Sequence, residues 1–204
     1  MKKGIFITLE GIDGCGKTTQ AKLLKKFFEE KGFKVVLTRE PGGSSIGPEV
    51  RNILLNKNMN PVSEFLLFAS DRKEHIKGLI KPALERGEVV ISDRFCDSSV
   101  AYQGYGRGVS LDFINYVHNF ILESLLPDIT LLFDVSPEVG LKRIYVSDRI
   151  EREGAEFLKK VRNGYLEIAK REKRFAIING EKSKDKVYKD MVSEILGRGL
   201  IYGG

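Results

Sequence analysis

The chain is poor in the residue types that build metal and disulfide sites. Its 204 residues include no tryptophan, two histidines and two cysteines. Cys15 and Cys96 form no metal-ligand spacing with each other, and a single pair of cysteines does not indicate a disulfide scaffold. His75 and His118 lie in helical patterns without partners in sequence, so we expect structural or surface roles for both.

Long hydrophobic runs are also missing. The first apolar run, from Ile5 to Leu9, ends at Glu10, which makes it too short for a signal-peptide core or a membrane span. With 42% hydrophobic and 30% charged residues, the chain can still bury one sizeable core. We therefore expect a soluble cytoplasmic protein with no membrane partner, folded as one domain over residues 1–204.

The formal net charge of +6 is compatible with nucleic-acid binding, but its distribution argues against it. Residues 142–174 hold eleven Lys or Arg against six Asp or Glu. A local excess of this kind suits a small polyanion such as a nucleotide, and it is also typical of a solvated helix face. We expect no nucleic-acid partner.

The clearest chemical signal lies between Leu9 and Thr19, in the sequence LEGIDGCGKTT. Gly11, Gly16, Lys17 and Thr18 match G-x-x-x-x-G-K-[ST] at the correct spacing. The glycines let backbone N–H groups curl around phosphate oxygens, the lysine reaches the β- and γ-phosphates, and the threonine hydroxyl is placed for Mg²⁺. Because an apolar run precedes the motif and a helical pattern follows it, we expect the phosphates at a helix N-terminus.

Short apolar runs alternate with amphipathic patterns along the rest of the chain. The runs predict strands at residues 4–9, 34–38, 88–92, 129–135 and 176–178. The patterns predict helices after the glycine-rich motif and at 46–55, 60–86, 110–125, from 136, 155–172 and 184–196. This alternation predicts an α/β fold with a five-stranded parallel sheet, helices on both faces, and ligands at the carboxyl ends of the strands.

The loops after the strands carry unusual residues. Asp93 and Arg94 follow the third strand, where an acid can hold Mg²⁺ through water and a guanidinium can bind a second phosphate. The run from Arg39 to Gly43 by itself indicates only a turn. Residues 142–153 hold several arginines and would suit a lid that neutralises charge during phosphoryl transfer, although charged loops are usually only solvated.

Phe68 and Arg72 are four residues apart and therefore share one face of a predicted helix. An aromatic ring beside a guanidinium suits a nucleotide base, because the ring can stack and the arginine can donate to a carbonyl edge. Taken alone, Phe68 is better explained as a core residue, like its neighbours Leu66 and Leu67.

Five ordered blocks together resemble the bacterial thymidylate kinases. They are LEGIDGCGKTTQAK at 9–22, TREPGG at 38–43, LLFASDR at 66–72, DRFCDSSVAYQG at 93–104 and DRIE at 148–151. The resemblance implies a P-loop kinase fold, commonly a homodimer, that uses ATP and Mg²⁺ to convert dTMP to dTDP.

The resemblance also implies residue roles by position. The ATP-binding loop would comprise Gly11, Ile12, Asp13, Gly14, Cys15, Gly16, Lys17, Thr18 and Thr19. Thr18 and Asp93 would lie at the metal. The dTMP site would comprise Asp13 near the 3′-hydroxyl, Arg94 on the acceptor phosphate, Phe68 and Arg72 on thymine, and Pro41, Ser99 and Gln103 as further contacts. Tyr102 would fill the space that a ribose 2′-hydroxyl needs.

Catalysis is assigned by the same resemblance to Lys17, Asp93 and Arg94, together with arginines of the lid. Eukaryotic members carry an arginine in the loop after the acid, whereas this chain has Gly14, so the bacterial arrangement with lid arginines is implied. The lid is shorter than the usual bacterial one and lacks its middle arginine. Arg143 and Arg149 are therefore the catalytic candidates, with Arg149 first because it belongs to the DRIE block, and residues 179–183 are expected to hold adenine.

Two other functions are compatible with parts of the sequence. Another P-loop kinase for small molecules or nucleotides would use the same phosphate groups, but it gives no shared reason for Phe68, Arg72 and Tyr102. A nucleic-acid-binding NTPase would explain the positive charge and would bind DNA in a salt-sensitive way.

Overall fold

Five parallel strands form a single sheet. The computed structural model describes residues 4–144, 149–150 and 153–201. Across the sheet the strand order is β2-β3-β1-β4-β5, and every neighbouring pair is parallel. In chain order the strands are β1 (Ile5–Glu10), β2 (Val35–Arg39), β3 (Val89–Asp93), β4 (Ile129–Asp134) and β5 (Phe175–Asn179). The predicted α/β fold with a five-stranded parallel sheet is therefore confirmed.

Helices cover both faces of the sheet. In β1, Ile7 and Leu9 belong to the core on one face and Phe6 to the core on the other, as the two-residue period of a strand requires. The first core includes residues of α1 (Lys17–Glu30), α8 (Gly154–Arg171) and α9 (Lys184–Gly197). The second includes residues of α3 (Pro61–His75), α4 (Lys81–Glu85) and α6 (Leu111–Leu122). Burial on both faces explains the nearly continuous apolar runs of the central strands.

Local sequence signals set several helix ends. Asn60 caps α3, because its side chain accepts a hydrogen bond from the N–H of Val62 at 2.9 Å and Pro61 occupies the first helical position. Ser110 caps α6 through the N–H of Phe113. No helix in the described ranges is long and apolar enough to cross a membrane. The remaining helices are α2 (Gly47–Asn56), α5 (Cys96–Ser99) and α7 (Pro137–Lys142).

Two π-helical turns depart from the predicted elements. The helix predicted over 60–86 passes through a π-helical turn at Ile76–Ile80. Residues 96–106, where no amphipathic period predicts a helix, form α5 and a second π-helical segment, Val100–Gly106. This segment is held by close packing against α8, since a Cβ atom on Gly106 would lie 2.7 Å from the ring of Phe157. Such turns are frequent at functional sites.

The carboxyl edge of the sheet gathers polar side chains. Because all strands run in the same direction, their last residues lie along one edge, where the ligand site of such a sheet is expected. These last residues are Glu10, Arg39, Asp93, Asp134 and Asn179.

Candidate active site

A cavity of about 480 Å³ opens at this carboxyl edge. A volume of this size is typical of a small-molecule site. Its lining residues are Asp13, Gly14, Gly16, Lys17, Thr18, Thr19, Arg39, Glu40, Pro41, Arg51, Leu55, Phe68, Arg72, Asp93, Arg94, Phe95, Ser98, Ser99, Tyr102, Gln103, Arg143 and Ile150. The fold thus brings together most of the residues that the sequence predicts for the site. The predicted site residues that do not line the cavity are Gly11, Ile12, Cys15 and Arg149, and none of residues 179–183, expected to hold adenine, lines it either.

The glycine-rich loop between β1 and α1 wraps around its own lysine. Gly11 and Gly16 adopt φ angles of 138° and 97°, which favour glycine. Lys17 is the first residue of α1, and its Nζ donates to the carbonyl oxygens of Gly11 and Ile12, each at 3.0 Å. The lysine charge therefore lies at a helix N-terminus, where backbone N–H groups and the helix dipole also favour an anion.

Gly14 is required by packing as well as by conformation. Its φ angle is 76°, and a Cβ atom on it would lie 2.1 Å from the carbonyl oxygen of Gly140 in α7. A Cβ atom on Gly140 would in turn lie 2.6 Å from the carbonyl oxygen of Asp13. An arginine at position 14 does not fit this contact, which gives a physical reason for the glycine at this position.

Thr18 and Asp93 form a pair of oxygen ligands suited to a hard divalent cation. The Thr18 hydroxyl donates to Asp93 Oδ2 at 2.7 Å, although the two residues are 75 positions apart. Mg²⁺ prefers oxygen ligands and usually completes its shell with water and substrate phosphates. Within the described ranges, no group of three or more His, Cys, Asp or Glu residues could hold a metal ion. The two oxygens of Thr18 and Asp93 fit a cation that takes its other ligands from water and phosphate.

Arg94 is directed into the cavity by an unusual backbone conformation. Its φ angle of 75° is left-handed, which is uncommon for a residue other than glycine. Its Nη2 donates to a carboxylate oxygen of Asp13 and, at 3.0 Å, to the hydroxyl of Tyr102, whose ring centroid lies 4.8 Å from Cζ. Burial opposes the charged guanidinium, but Tyr102 and Asp13 raise the pKa of Arg94 well above its ordinary value. Arg94 is thus a fixed positive charge.

Asp13 joins three parts of the site. It belongs to the glycine-rich loop, pairs with Arg94 after β3, and accepts a hydrogen bond from Tyr102 on the π-helical segment at 2.7 Å. Burial opposes its ionisation, but Arg94 and Lys17 lower the pKa of Asp13. The ring of Tyr102, which is buried, is therefore held in one orientation at the cavity wall.

Arg72 lies at the other end of the cavity and is completely buried. Its Nε donates to Glu40 Oε2 at 2.7 Å, and its Nη1 and Nη2 both donate to the Ser99 hydroxyl at 3.1 Å. A base carbonyl can therefore bind Arg72 by taking over one of the N–H groups that share Ser99. Phe68, one turn earlier on α3, lines the same cavity, as the spacing of the two residues predicts.

The two histidines are buried and structural. His118 Nε2 accepts from Arg72 Nη1 at 3.0 Å, and burial, with a smaller effect of Arg72, lowers the pKa of His118 to about 3. The ring of His75 contacts Glu40 Oε1 at 3.0 Å and Thr38 Oγ1 at 2.8 Å. Both histidines therefore support the network around Arg72, which agrees with the structural role expected from the sequence.

The two lid arginines contact main-chain oxygens outside the phosphate-binding loop. Arg143 donates to the carbonyl oxygen of Gly180 at 3.0 Å, in the loop predicted to hold adenine. Arg149 Nε and Nη2 donate to the carbonyl oxygen of Leu54 near the end of α2 at 3.0 and 2.9 Å, and Nη2 also pairs with Glu64. Parts of the predicted lid lie outside the described residues, namely 145–148 and 151–152, with Asp148, Glu151 and Arg152.

Glu64 connects Gln103 at the cavity wall to Arg107 and Arg149. Its buried carboxylate accepts from Gln103 Nε2 at 2.9 Å and from Arg107 Nε at 2.8 Å, in addition to Arg149. Burial opposes its ionisation, but these three partners lower the pKa of Glu64. The amide nitrogen of Gln103 is therefore bound to Glu64 in this structure.

Several residues belong to the site although the sequence motifs did not assign them a role. Arg39 and Arg51 line the cavity, and Glu10 and Tyr165 lie in contact with the surroundings of Arg94. Two of these residues could have been found from the sequence, because Arg39 and Glu10 are the polar residues that end two predicted strands. The carboxyl ends of strands are where ligands are expected. Tyr165 had no such signal, because the amphipathic pattern of α8 explains it fully as a core residue.

This arrangement defines a P-loop nucleotide kinase. The glycine-rich loop, the oxygen pair of Thr18 and Asp93, and the charged guanidinium of Arg94 lie at one cavity, an arrangement that suits two phosphate groups. Phe68 and Arg72 of α3 line the same cavity.

The comparisons with known proteins identify the family. The thymidylate kinase family model matches residues 9–191. The thymidylate kinase of Geotalea daltonii is 47% identical, over 96% of this chain and 98% of the relative, and that of Thermoanaerobacter sp. is 45% identical over 95% and 98%. A crystal structure of thymidylate kinase from Ehrlichia chaffeensis superimposes with a TM-score of 0.80 at 35% identity, over 95% and 99% of the two chains. The chain belongs to the thymidylate kinase family.

Proposed function

We propose that this protein transfers the γ-phosphoryl group of ATP to dTMP, which yields dTDP and ADP. The observation that carries the proposal is a shared cavity: the glycine-rich loop, Arg94, and the Phe68 and Arg72 pair all line it. Phosphates of a donor, phosphate of an acceptor and a base can therefore bind side by side. Membership of the thymidylate kinase family supports the same reaction.

The reaction needs charge and position more than proton transfer. The acceptor phosphate is largely ionised at neutral pH, since its second pKa is about 6. One of its oxygens attacks the γ-phosphorus while the bond to the bridging oxygen breaks and ADP leaves. In the proposal, Lys17 binds the β- and γ-phosphates and Arg94 binds the acceptor phosphate, so that the two reactants meet at a fixed distance in an electropositive site.

The metal and the lid are further parts of the proposal. The Thr18 hydroxyl would bind Mg²⁺ directly and Asp93 would bind it through water, and the bound cation would neutralise phosphate charge. Arg149 would reach the transferring group after leaving Leu54 and Glu64. Arg143 would act beside it from the Gly180 side, where the adenine is expected.

Selectivity for dTMP follows from the shape of the cavity. Phe68 would stack on thymine and Arg72 would donate to its O4, with Pro41, Ser99 and Gln103 as neighbours. Asp13 would lie near the sugar 3′-hydroxyl. Because the Tyr102 hydroxyl is bound to Asp13, its ring cannot easily turn away, which favours a deoxyribose.

A homodimer is proposed on the basis of one apolar surface. On α6, Phe113, Tyr116 and Phe120 recur on one face, and Tyr116 and Phe120 are 75% and 79% exposed. Val62 and Leu66 on α3 are exposed as well, and Phe113 packs edge-on to Phe65 of α3, so the two helices form one continuous surface. A second copy of the chain would cover this surface.

The dimer proposal is tested by Phe120→Glu, with the molar mass measured by light scattering. We expect the variant to be monomeric at concentrations at which the parent is dimeric. Lys186→Glu, a charge change on exposed α9, is the matched control. A parent protein that is already monomeric would overturn the proposal.

A cytoplasmic location is proposed together with the reaction. Cys15 and Cys96 are both free thiols and both buried, a state typical of proteins from reducing compartments.

The function is tested by giving the purified protein ATP, Mg²⁺ and one nucleoside monophosphate at a time. We expect ADP release to be fastest with dTMP, slower with its ribose analogue, and absent with every acceptor in Lys17→Met. Release that is no faster with dTMP than with dCMP, dGMP or AMP would overturn the assignment and favour another nucleotide kinase. A salt-sensitive shift of DNA in a gel would instead favour the nucleic-acid-binding alternative.

A further inference from the structure

Glu10 is a buried carboxylate at the base of the cavity to which the proposed reaction assigns no task. It is the last residue of β1 and has no exposed surface. Its two oxygens accept hydrogen bonds from the N–H of Phe95, the hydroxyl of Ser98 and the hydroxyl of Tyr165. All three donors adjoin Arg94.

One oxygen of Glu10 fixes the main chain beside Arg94. Glu10 Oε1 accepts from the N–H of Phe95 at 2.7 Å, and the carbonyl oxygen of Leu9 accepts from the N–H of Arg94 at 3.0 Å. The end of β1 therefore binds the amides of both residues 94 and 95. This pair of hydrogen bonds brackets the left-handed conformation of Arg94, which a free chain would leave for a more favourable one.

The other oxygen acts on the Arg94 side chain through two hydroxyls. Ser98 and Tyr165 donate to Glu10 Oε2 at 2.6 and 2.9 Å. The same hydroxyl oxygens accept from Arg94 Nη1 at 3.2 and 3.1 Å. Because their hydrogens point to Glu10, their lone pairs are presented to the guanidinium, which has donors only.

We infer that Glu10 is the positioning residue of Arg94, holding both its backbone and its guanidinium in the orientation that binds the acceptor phosphate. The inference rests on the proposed role of Arg94 in dTMP binding. Glu10 does not contact dTMP itself. By positioning Arg94, it would set the affinity for dTMP and leave the affinity for ATP unchanged.

The way in which Glu10 positions Arg94 also depends on pH, because the surroundings of Glu10 shift its pKa. Burial, and then the charge of Asp97, raises the pKa of Glu10 to about 7, against the lowering effects of Ser98, Arg94 and Tyr165. Arg174 pairs with Asp97 through two hydrogen bonds of 2.7 Å. Above this pKa the carboxylate accepts from both hydroxyls. Below it, the added proton competes with them, so that the arrangement resembles that of a glutamine.

The test compares Glu10→Gln with the parent protein at pH 8.5 and pH 5.5. A glutamine nitrogen facing Ser98 and Tyr165 would donate to their oxygens. One hydroxyl would then donate to the other, 2.8 Å away, and the remaining O–H group would turn toward Arg94. At pH 8.5 we expect KM for dTMP to rise about tenfold, with KM for ATP unchanged. At pH 5.5 the ratio of the two KM values for dTMP should approach one, and this ratio cancels the titration of dTMP itself. Glu85→Gln, an exposed change on α4, is the control.

An unchanged KM for dTMP at pH 8.5 in folded Glu10→Gln would overturn the inference. Equal increases in the KM values of dTMP and ATP would do the same, because a merely structural role does not separate the substrates. If the variant does not fold, the Ser98→Ala, Tyr165→Phe double variant decides in its place, and the same rise in KM for dTMP is expected. Arg94→Lys separates a failure of the positioning role of Glu10 from a failure of the proposed role of Arg94. If Arg94→Lys leaves KM for dTMP unchanged, the role of Arg94 itself is refuted.

Discussion

The arginines proposed to act on the acceptor side and those proposed to act from the lid side are held in different ways. On the acceptor side, Arg72 and Arg94 are paired with the carboxylates of Glu40 and Asp13 and are surrounded by further side chains. On the lid side, Arg143 donates to a main-chain carbonyl oxygen. Arg149 does the same near the end of α2, and its carboxylate partner Glu64 is shared with two other donors.

In the proposed reaction, this difference corresponds to a preorganised acceptor side and a movable lid side. Charges that are fixed by several side-chain partners need no reorganisation when substrate binds, and this is where electrostatic catalysis is most effective. A guanidinium bound to main-chain carbonyls can exchange them for phosphate oxygens at small cost, as a closing lid requires. We therefore expect substitutions on the acceptor side to change stability or dTMP affinity, and substitutions on the lid side to change turnover or ATP affinity.

The largest effect is expected for Arg72→Met, which should lower the free energy of unfolding by about 3–5 kcal/mol. After the substitution, the buried carboxylate of Glu40 keeps its contact with His75 but has lost the positive charge of Arg72. Urea unfolding measures this loss, and Arg86→Met on the exposed end of α4 serves as control. A loss below about 1 kcal/mol would contradict the view that Arg72 is part of the fixed side.

Arg94→Lys is expected to lower kcat/KM for dTMP about 10³-fold while KM for ATP stays the same. Lysine keeps the charge, but it lacks the planar fork, in which Nη2 contacts Asp13 while Nη1 contacts Ser98 and Tyr165, and which suits a phosphate. Steady-state kinetics with each substrate varied in turn gives the result, with Arg86→Lys as control. A loss smaller than tenfold would remove Arg94 from the acceptor site.

Arg149→Gln is expected to lower kcat about 10²-fold and to leave the free energy of unfolding within about 1 kcal/mol of the parent. Stability is preserved because Glu64 keeps Gln103 and Arg107 as partners. Single-turnover kinetics and urea unfolding test the two parts. An unchanged kcat with a loss of stability would mean that Arg149 only caps α2. It would contradict the proposed difference between the acceptor side and the lid side.

The smallest effect is expected for Arg143→Gln, which should raise KM for ATP about tenfold with little change in KM for dTMP. The reason is its hydrogen bond to Gly180, in the loop expected to hold adenine. Equilibrium binding of an ATP analogue is the direct measurement. A fall in kcat without a change in ATP affinity would exchange the roles proposed for Arg143 and Arg149.

The order of the strands and helices was predictable because its causes are local. The apolar runs of β1 and β4 mark strands buried on both faces, and Asn60 with Pro61 marks the start of α3 in the sequence itself. The π-helical segment at 100–106 was not predictable in this way. Its conformation depends on contacts with α8, more than fifty residues further on in the sequence, which no local period records.

The phosphate-binding groups were predictable for a similar reason, and their supporting partners were not. Lys17 and Thr18 belong to one contiguous motif, whereas the link from Glu10 to Tyr165 joins residues 155 positions apart. The complete burial of Arg72 was also hidden, because its four partners come from three separate parts of the chain: Glu40, the segment with Phe95 and Ser99, and His118. Motifs report the groups that touch substrate, and only the folded chain reports what holds those groups.

The left-handed backbone of Arg94 has a consequence for directed evolution toward heat resistance. A residue with a Cβ atom loses roughly 1–2 kcal/mol in this conformation, whereas glycine does not. Replacing Arg94 by glycine would relieve the backbone, but it would also remove the donor that Asp13, Tyr102 and Tyr165 share. Selection for heat resistance alone acts on backbone strain and not on the reaction, so a stabilised thymidylate kinase of this type should be selected with its reaction as a second criterion.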